Sequence, residues 1–211
     1  MSPILDTCMS RLSNNKASQD TIVAYGYTCA SLLGGVHLCK LGIPHLKIKI
    51  LFNIGEELLC TASQNSKTCL QKISSGWLLL GSFMTMGSSI IKKYLPRMIV
   101  LWKNAFPRNI KELDIEKKRN DAATWQISLE SRSGALASMN SFLIYCNDIF
   151  FNDETVRKRI LNVTEGAILI LSQLSQITKI SETILKDSAN SFRYRLFQTL
   201  LNIPISYYDS K

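Results

Sequence analysis

Apolar positions recur at helical spacing along nearly the whole chain, while strand signals are scarce. The clearest stripe is Val156, Ile160, Val163, Ala167, Ile170, Leu174 and Ile177, which lines one helix face over several turns. Ile50, Ile54, Leu58 and Ala62 recur every fourth residue, and Ile91, Leu95, Met98, Trp102 and Phe106 follow three-and-four spacing. A last stretch carries Ile184 and Leu185, then Phe192, Leu196, Leu200 and Ile203. Alternating β-branched runs joined by Asn-Gly or Asp-Gly do not occur. The pattern predicts an all-α chain.

Breaks in the pattern set the helix ends. Pro44 suits a first helical position, because its φ is fixed and its missing N–H needs no partner there. Gly87-Ser88 reads as a C-terminal glycine followed by a serine cap. Pro96 should kink its helix or split it at Leu95, Pro107 closes another, and Asn152-Asp153 opens the long one. Seven or eight helices follow, at about 3–13, 18–38, 44–64, 67–86, 88–106, 121–146, 153–177 and 180–203. Their short connections predict antiparallel pairs. The charged stretch "RNIKELDIEKKRND", Arg108 to Asp121, is expected to be an exposed, mobile loop near 107–121.

Ser75-Gly76-Trp77-Leu78 echoes Ser133-Gly134-Ala135-Leu136, and each introduces a helix, a polar turn and a basic amphipathic helix. Glycines at such positions let helices approach closely, as stacked hairpins require. The echo favours an α-solenoid of stacked antiparallel helix pairs, HEAT- or armadillo-like, over a closed bundle. Residues 1–211 then form a single solenoid segment. It begins and ends without polar caps, so it is expected to belong to a longer array.

Composition sharpens this picture in three places. Six cysteines without a CxxC pair, mostly in apolar helical contexts, point to reduced, buried thiols rather than a disulfide framework. No secretory signal pattern starts the sequence, so a cytosolic setting is expected. No Asp, Glu, Lys or Arg lies between Asp20 and Lys40 or between Lys72 and Lys92, but both stretches carry glycines and hydroxyls. They read as buried helices ending in polar turns rather than membrane spans.

Candidate chemistry is thin. "GGVHLCKLGIPHLK" holds both histidines, His37 and His45, with Cys39 between them, so a zinc or thiol site comes to mind. Structural zinc wants two ligand pairs at tight spacing, and residues two apart near a helix end point to different sides. The stretch reads instead as a helix end, a turn and a proline-initiated helix. No G-x-S-x-G elbow or Walker-type glycine loop is present. Glu56-Glu57 reads as a solvated face, and Trp77, Trp102 and Trp125 as core. No catalytic activity, cofactor, metal or small-molecule substrate is expected.

The net charge of +9 matters only where basic residues gather. Lys92, Lys93, Arg97, Lys103 and Arg108 accompany one helix region, Arg157, Lys158 and Arg159 another, and Arg193 and Arg195 a third. Stacked in register, they would form a basic ridge able to meet acidic protein motifs or anionic lipid. Otherwise they are a solvated charged face. Interleaved aromatics and nucleic-acid motifs are lacking, so nucleic acid is not an expected partner. The interaction candidates are Lys92, Lys93, Arg97, Arg157, Lys158 and Arg159.

Four strings carry a resemblance: "LLGGVHLCKLGIPHLK" (32–47), "TASQNSKTCLQKISSGWLLLGSFMTMG" (61–87), "YLPRMIVLWKNAFPRNIKELDIEK" (94–117) and "TWQISLESRSGALASMNSFLIYC" (124–146). The chain resembles the large HEAT-repeat-containing protein 5 family over essentially its whole length. The resemblance implies a segment from the N-terminal half of a much larger α-solenoid. It further implies a cytosolic scaffold, peripheral on clathrin-coated vesicles, in complex with aftiphilin and γ-synergin and working with the trans-Golgi and endosomal clathrin adaptor. The implied role is cargo sorting between endosomes, the trans-Golgi network and the cell surface. No catalytic or binding residues carry over.

Overall fold

The computed structural model of the chain describes residues 2–14, 16–35 and 45–207, with backbone alone for Ser2 and His45. Eleven α-helices and no strand occur among them. They are α1 (Ser2–Leu12), α2 (Gln19–Gly34), α3 (His45–Cys60), α4 (Cys69–Phe83), α5 (Ser88–Ile91), α6 (Leu95–Ala105), α7 (Ile110–Arg119), α8 (Ala122–Tyr145), α9 (Asn147–Asn152), α10 (Glu154–Thr178) and α11 (Glu182–Leu201). The all-α expectation holds. The helix count is higher than seven or eight because Pro96 splits one predicted helix into α5 and α6, and because α7 and α9 were not expected.

Local chemistry explains the boundaries. Gly87 has φ of 83°, a left-handed conformation that L side chains resist, and it separates the turn after α4 from α5. Ser88 is not the N-cap expected of it; it is the first residue of α5 and its hydroxyl bonds Asp148. Pro96 sits in the first turn of α6, where an absent N–H costs nothing. The Asp153 carboxylate caps α10 by accepting the Val156 N–H at 3.0 Å. Predicted Pro44 lies outside the described residues.

The charged stretch is a helix, not a loop. The Asn109 side chain caps α7 by accepting the Glu112 N–H at 3.0 Å, and Glu112 accepts the Arg108 N–H at 2.7 Å in return. Lys117, Lys118 and Arg119 fill the last turn, where the helix dipole favours cations. Tertiary contacts then fix α7 in place. Leu113 is fully buried, worth roughly 1.5–3 kcal/mol. Lys117 donates to Gln173 and Gln176 of α10, each at 3.0 Å. Glu116 accepts from Arg132 of α8 at 2.6 Å. Arg132 is itself buried; its Nε donates to the Ala105 carbonyl at 3.0 Å and its guanidinium lies over the Trp125 ring. One side chain thus ties α7, the end of α6 and α8 together.

The helices pack in order. α1 packs on α2, α3 on α4, α6 on α8 and α10 on α11. Across these pairs, α2 packs on α4, α4 on α8 and α8 on α11, while α1 meets α3 and α6 meets α10. Small residues set the spacing of the first row. A Cβ added at Gly26 of α2 would lie 2.6 Å from the Ser75 Cβ of α4, and one at Gly134 of α8 would lie 2.7 Å from the Trp77 Cβ. Gly55 and Gly76 likewise receive Leu80 and Leu59 inside the α3–α4 pair. Ion pairs join the other row: Lys47 of α3 to Asp6 of α1 at 2.7 Å, and Arg97 of α6 to Glu56 of α3.

The core is continuous through all of these interfaces. Trp77, Trp102 and Trp125 are buried, as their apolar faces predict. Phe52, Phe83 and Tyr94 stack where α3, α4 and the α5–α6 corner meet, with centroids 4.7 to 5.3 Å apart. By length and composition α10 is long and apolar enough to cross a membrane. Its stripe from Val156 to Ile177 is buried in this structure.

Two substitutions test these joints. Gly134→Ala gains up to ~1 kcal/mol of helix propensity but drives a methyl into the Trp77 Cβ, which cannot swing away. A net loss of about 1 kcal/mol or more is expected in urea unfolding followed by circular dichroism. Gly81→Ala, whose added Cβ meets nothing closer than 3.4 Å, should keep the propensity gain and be neutral to stabilising by up to ~1 kcal/mol. Glu116→Ala leaves the buried Arg132 charge unpaired. It should cost about 3 kcal/mol, the low end for a broken buried pair because Glu116 is part exposed, and amide exchange across α7 should quicken.

Candidate interaction groove

The six basic candidates have different environments. Lys92 and Lys93 are exposed at the corner between α5 and α6. Arg97 is engaged: Nε donates to Glu56 at 3.2 Å, Nη2 donates to Asn53 at 3.0 Å, and the guanidinium lies 4.7 Å from the Phe52 centroid. The Glu56 hydrogen bond, with its charge, holds the Arg97 proton more tightly than usual. Glu56 is therefore half of an interhelix ion pair, while Glu57 is exposed. Arg157 donates to the carbonyls of Phe150 and Phe151 at 3.3 and 3.0 Å, closing α9, and stacks on Tyr207. Lys158 pairs with Glu154 one turn away, at 2.6 Å, and lowers that carboxyl's pKa by hydrogen bond and charge.

Arg159 faces a different environment. It lines a groove of about 870 Å³ between α6 and α10, walled at one end by the turn from Phe106 to Ile110. Lys103 and Arg108 line the same groove, so the structure joins one residue of the Arg157–Arg159 run to two from the earlier basic region. Ile99, Phe106 and Val163 are buried along it, while Val100 and Ile110 remain 54% and 43% exposed. Glu165 is the one carboxylate among its lining residues. Gly166 allows the tight wall: a Cβ there would lie 2.8 Å from the Pro107 carbonyl oxygen.

A second cavity, about 570 Å³, runs between α2, α4, α8 and α11. Serines dominate it, among them Ser74, Ser82, Ser133, Ser138 and Ser141. Its single carboxylate, Glu130, accepts from Ser188 at 2.7 Å, and its single cation is Arg195, which bonds Gln198. Among the described residues charge is not concentrated there, and no nucleophile–base pair lines it.

His37 and Cys39 lie outside the described residues, as does the side chain of His45. Among the described residues no three His, Cys, Asp or Glu side chains converge as metal ligands do. The five described cysteines are free, and four are buried, as their apolar contexts predict; Cys60 is exposed. Burial first, then neighbouring Cys8, pushes the Cys29 thiol from 9.0 to about 12. Burial likewise pushes Cys146 to about 11, against a hydrogen bond with Ser88. Neither is a thiolate at neutral pH, which a nucleophile requires.

No family model matches the chain, and no solved structure matches it.

The thiols set an alkaline limit. Their folded pKa values lie above the unfolded value near 9.0, so the folded state keeps protons that the unfolded state sheds. Stability is complete below that value and falls as pH rises from there toward 11 or 12. Unfolding midpoints should therefore drop between pH 8 and pH 10. The drop should be smaller in Cys29→Ala, compared with its own midpoint at pH 8.

Proposed function

We propose that this chain is a segment of a HEAT-type α-solenoid serving as a non-catalytic scaffold in clathrin-adaptor-dependent traffic between endosomes, the trans-Golgi network and the plasma membrane. The observation that carries this reading is the order of packing, in which each helix pair contacts the next through α2, α4, α8 and α11. Sequential stacking of this kind suits a solenoid, whose repeats touch only their neighbours. Resemblance to the HEAT-repeat-containing protein 5 family supplies the trafficking role and the expected partners, aftiphilin- and γ-synergin-type subunits with the clathrin adaptor.

Further support comes from α11. Tyr194, Phe197 and Leu201 are 58%, 51% and 86% exposed, on the side opposite the buried stripe of Leu185, Phe192 and Leu196. An apolar helix side of this kind suits the docking of a further helix pair. The work is then done by surfaces, on a cytoplasmic protein peripheral to coated vesicles. Direct binding to anionic membrane has less behind it, because Arg97 and Lys158 already hold carboxylates.

The test is co-immunoprecipitation of the full-length protein from cytosol, probed for aftiphilin, γ-synergin and the adaptor subunits. All three are expected in the precipitate. Their absence, with the protein itself recovered folded, sinks the trafficking reading.

A further inference from the structure

We infer that the groove between α6 and α10 is a docking site for an acidic peptide segment carrying a large apolar anchor. The site is independent of the trafficking role; it rests on the chemistry of the groove alone. Its two halves ask for different things. Ile99, Phe106 and Val163 below, with Val100 and Ile110 on the walls, offer an apolar slot open to solvent. Lys103, Arg108 and Arg159 stand around it with only Glu165 opposing them. Arg108 has a partner in Glu112, but at 3.9 Å between exposed side chains it holds weakly.

Charge complementarity selects the occupant. A wholly apolar segment would leave three cations facing it, with only Glu165 and the weakly held Glu112 to set against them. A free phosphate or nucleotide would leave the aliphatic walls unused, and Phe106, the one aromatic ring among the described lining residues, is too buried to stack a base. A peptide with carboxylates around one Phe, Trp or Leu satisfies both halves, the anchor filling the slot and the acids meeting the rim. The volume lies within the range of about 300–1,000 Å³ typical of sites that bury a ligand.

The groove is also pre-formed. Lys117 holds α7 to Gln173 and Gln176 of α10, and Arg132 holds α7 to α8 through Glu116. The wall that follows Phe106 is thereby fixed before any ligand arrives, which removes an ordering cost from binding.

The experiment is selection of a random dodecamer display library on the purified chain, with counter-selection on Val100→Asp/Arg159→Glu. Enriched peptides should carry two or more carboxylates flanking a large apolar residue. A labelled representative should bind at least tenfold more weakly to Lys103→Glu/Arg159→Glu and, separately, to Val100→Asp. It should bind Lys186→Glu as well as wild type, and all variants should keep wild-type circular dichroism. Enrichment no greater than on the counter-selecting variant overturns the proposal, as does enrichment of peptides without carboxylates or without an apolar residue. Sedimentation with phosphatidylserine–phosphatidylcholine vesicles that is lost in Arg159→Glu and displaces the peptide also overturns it, assigning the groove to a membrane surface. Peptide binding without adaptor association leaves the groove standing and removes the trafficking role; the converse result removes the groove alone.

Discussion

The distance between neighbouring helices is set by side chains that are missing. Where α2 meets α4, Gly26 faces Ser75; where α4 meets α8, Gly134 faces Trp77. A bare Cα lets the opposite side chain lie flat against backbone, so the rows close up and cores join. Closing up also brings polar groups inside, and Ser75 and Ser138 find carbonyl acceptors there. Ser75 donates to the Ile22 carbonyl at 3.2 Å, and Ser138 donates to Ala135 while accepting the Trp102 indole N–H at 2.8 Å. A helix as rich in serine and alanine as α8 is therefore a core helix, because its small side chains admit neighbours.

A second constraint stands on the first. Once α8 is close, Arg132 is buried, and a buried guanidinium demands acceptors. The Ala105 carbonyl supplies one and Glu116 another. That demand converts a strongly charged stretch into a docked helix. The turn at Pro107, which leads into α7, lies against Gly166 of α10, so the ion pair that holds α7 also steadies one wall of the groove between α6 and α10.

Much of the fold was legible in periodicity, because most helices bury a stripe with clear three-and-four spacing. α10 is the plainest case, capped by Asp153 and burying the stripe from Val156 to Ile177 as the pattern reads. α7 was illegible for a physical reason: its apolar content is slight, and what holds it is a partner, Arg132, on another helix. Its cap was visible, since Asn109 precedes Glu112 by the spacing of a capping box. The candidate site was half legible. Basic residues could be counted, but which of them carry a structural load depends on neighbours: Arg97 needs Glu56, forty-one residues away, to become a surface strut between two helices. The groove needs α6 beside α10, and no local pattern encodes that.

The basic charge thus divides by geometry rather than by number. Arg97, Arg132 and Arg157 each place a planar fork against carboxylates or carbonyls and a ring, a use for which lysine is poorly shaped. These arginines contribute to net charge yet offer little to a partner. Lys158 is exposed but tied to Glu154. What distinguishes Lys103, Arg108 and Arg159 is not exposure, which Lys92 and Lys93 share, but a common apolar slot. A cation on an open surface attracts any anion and releases it as salt rises. A cation beside a recess that rewards an apolar side chain selects among anions, because only an acidic chain bearing such an anchor satisfies both. Recognition on this chain therefore depends on where two helices from different pairs meet, and the packing order that builds the fold also builds the site.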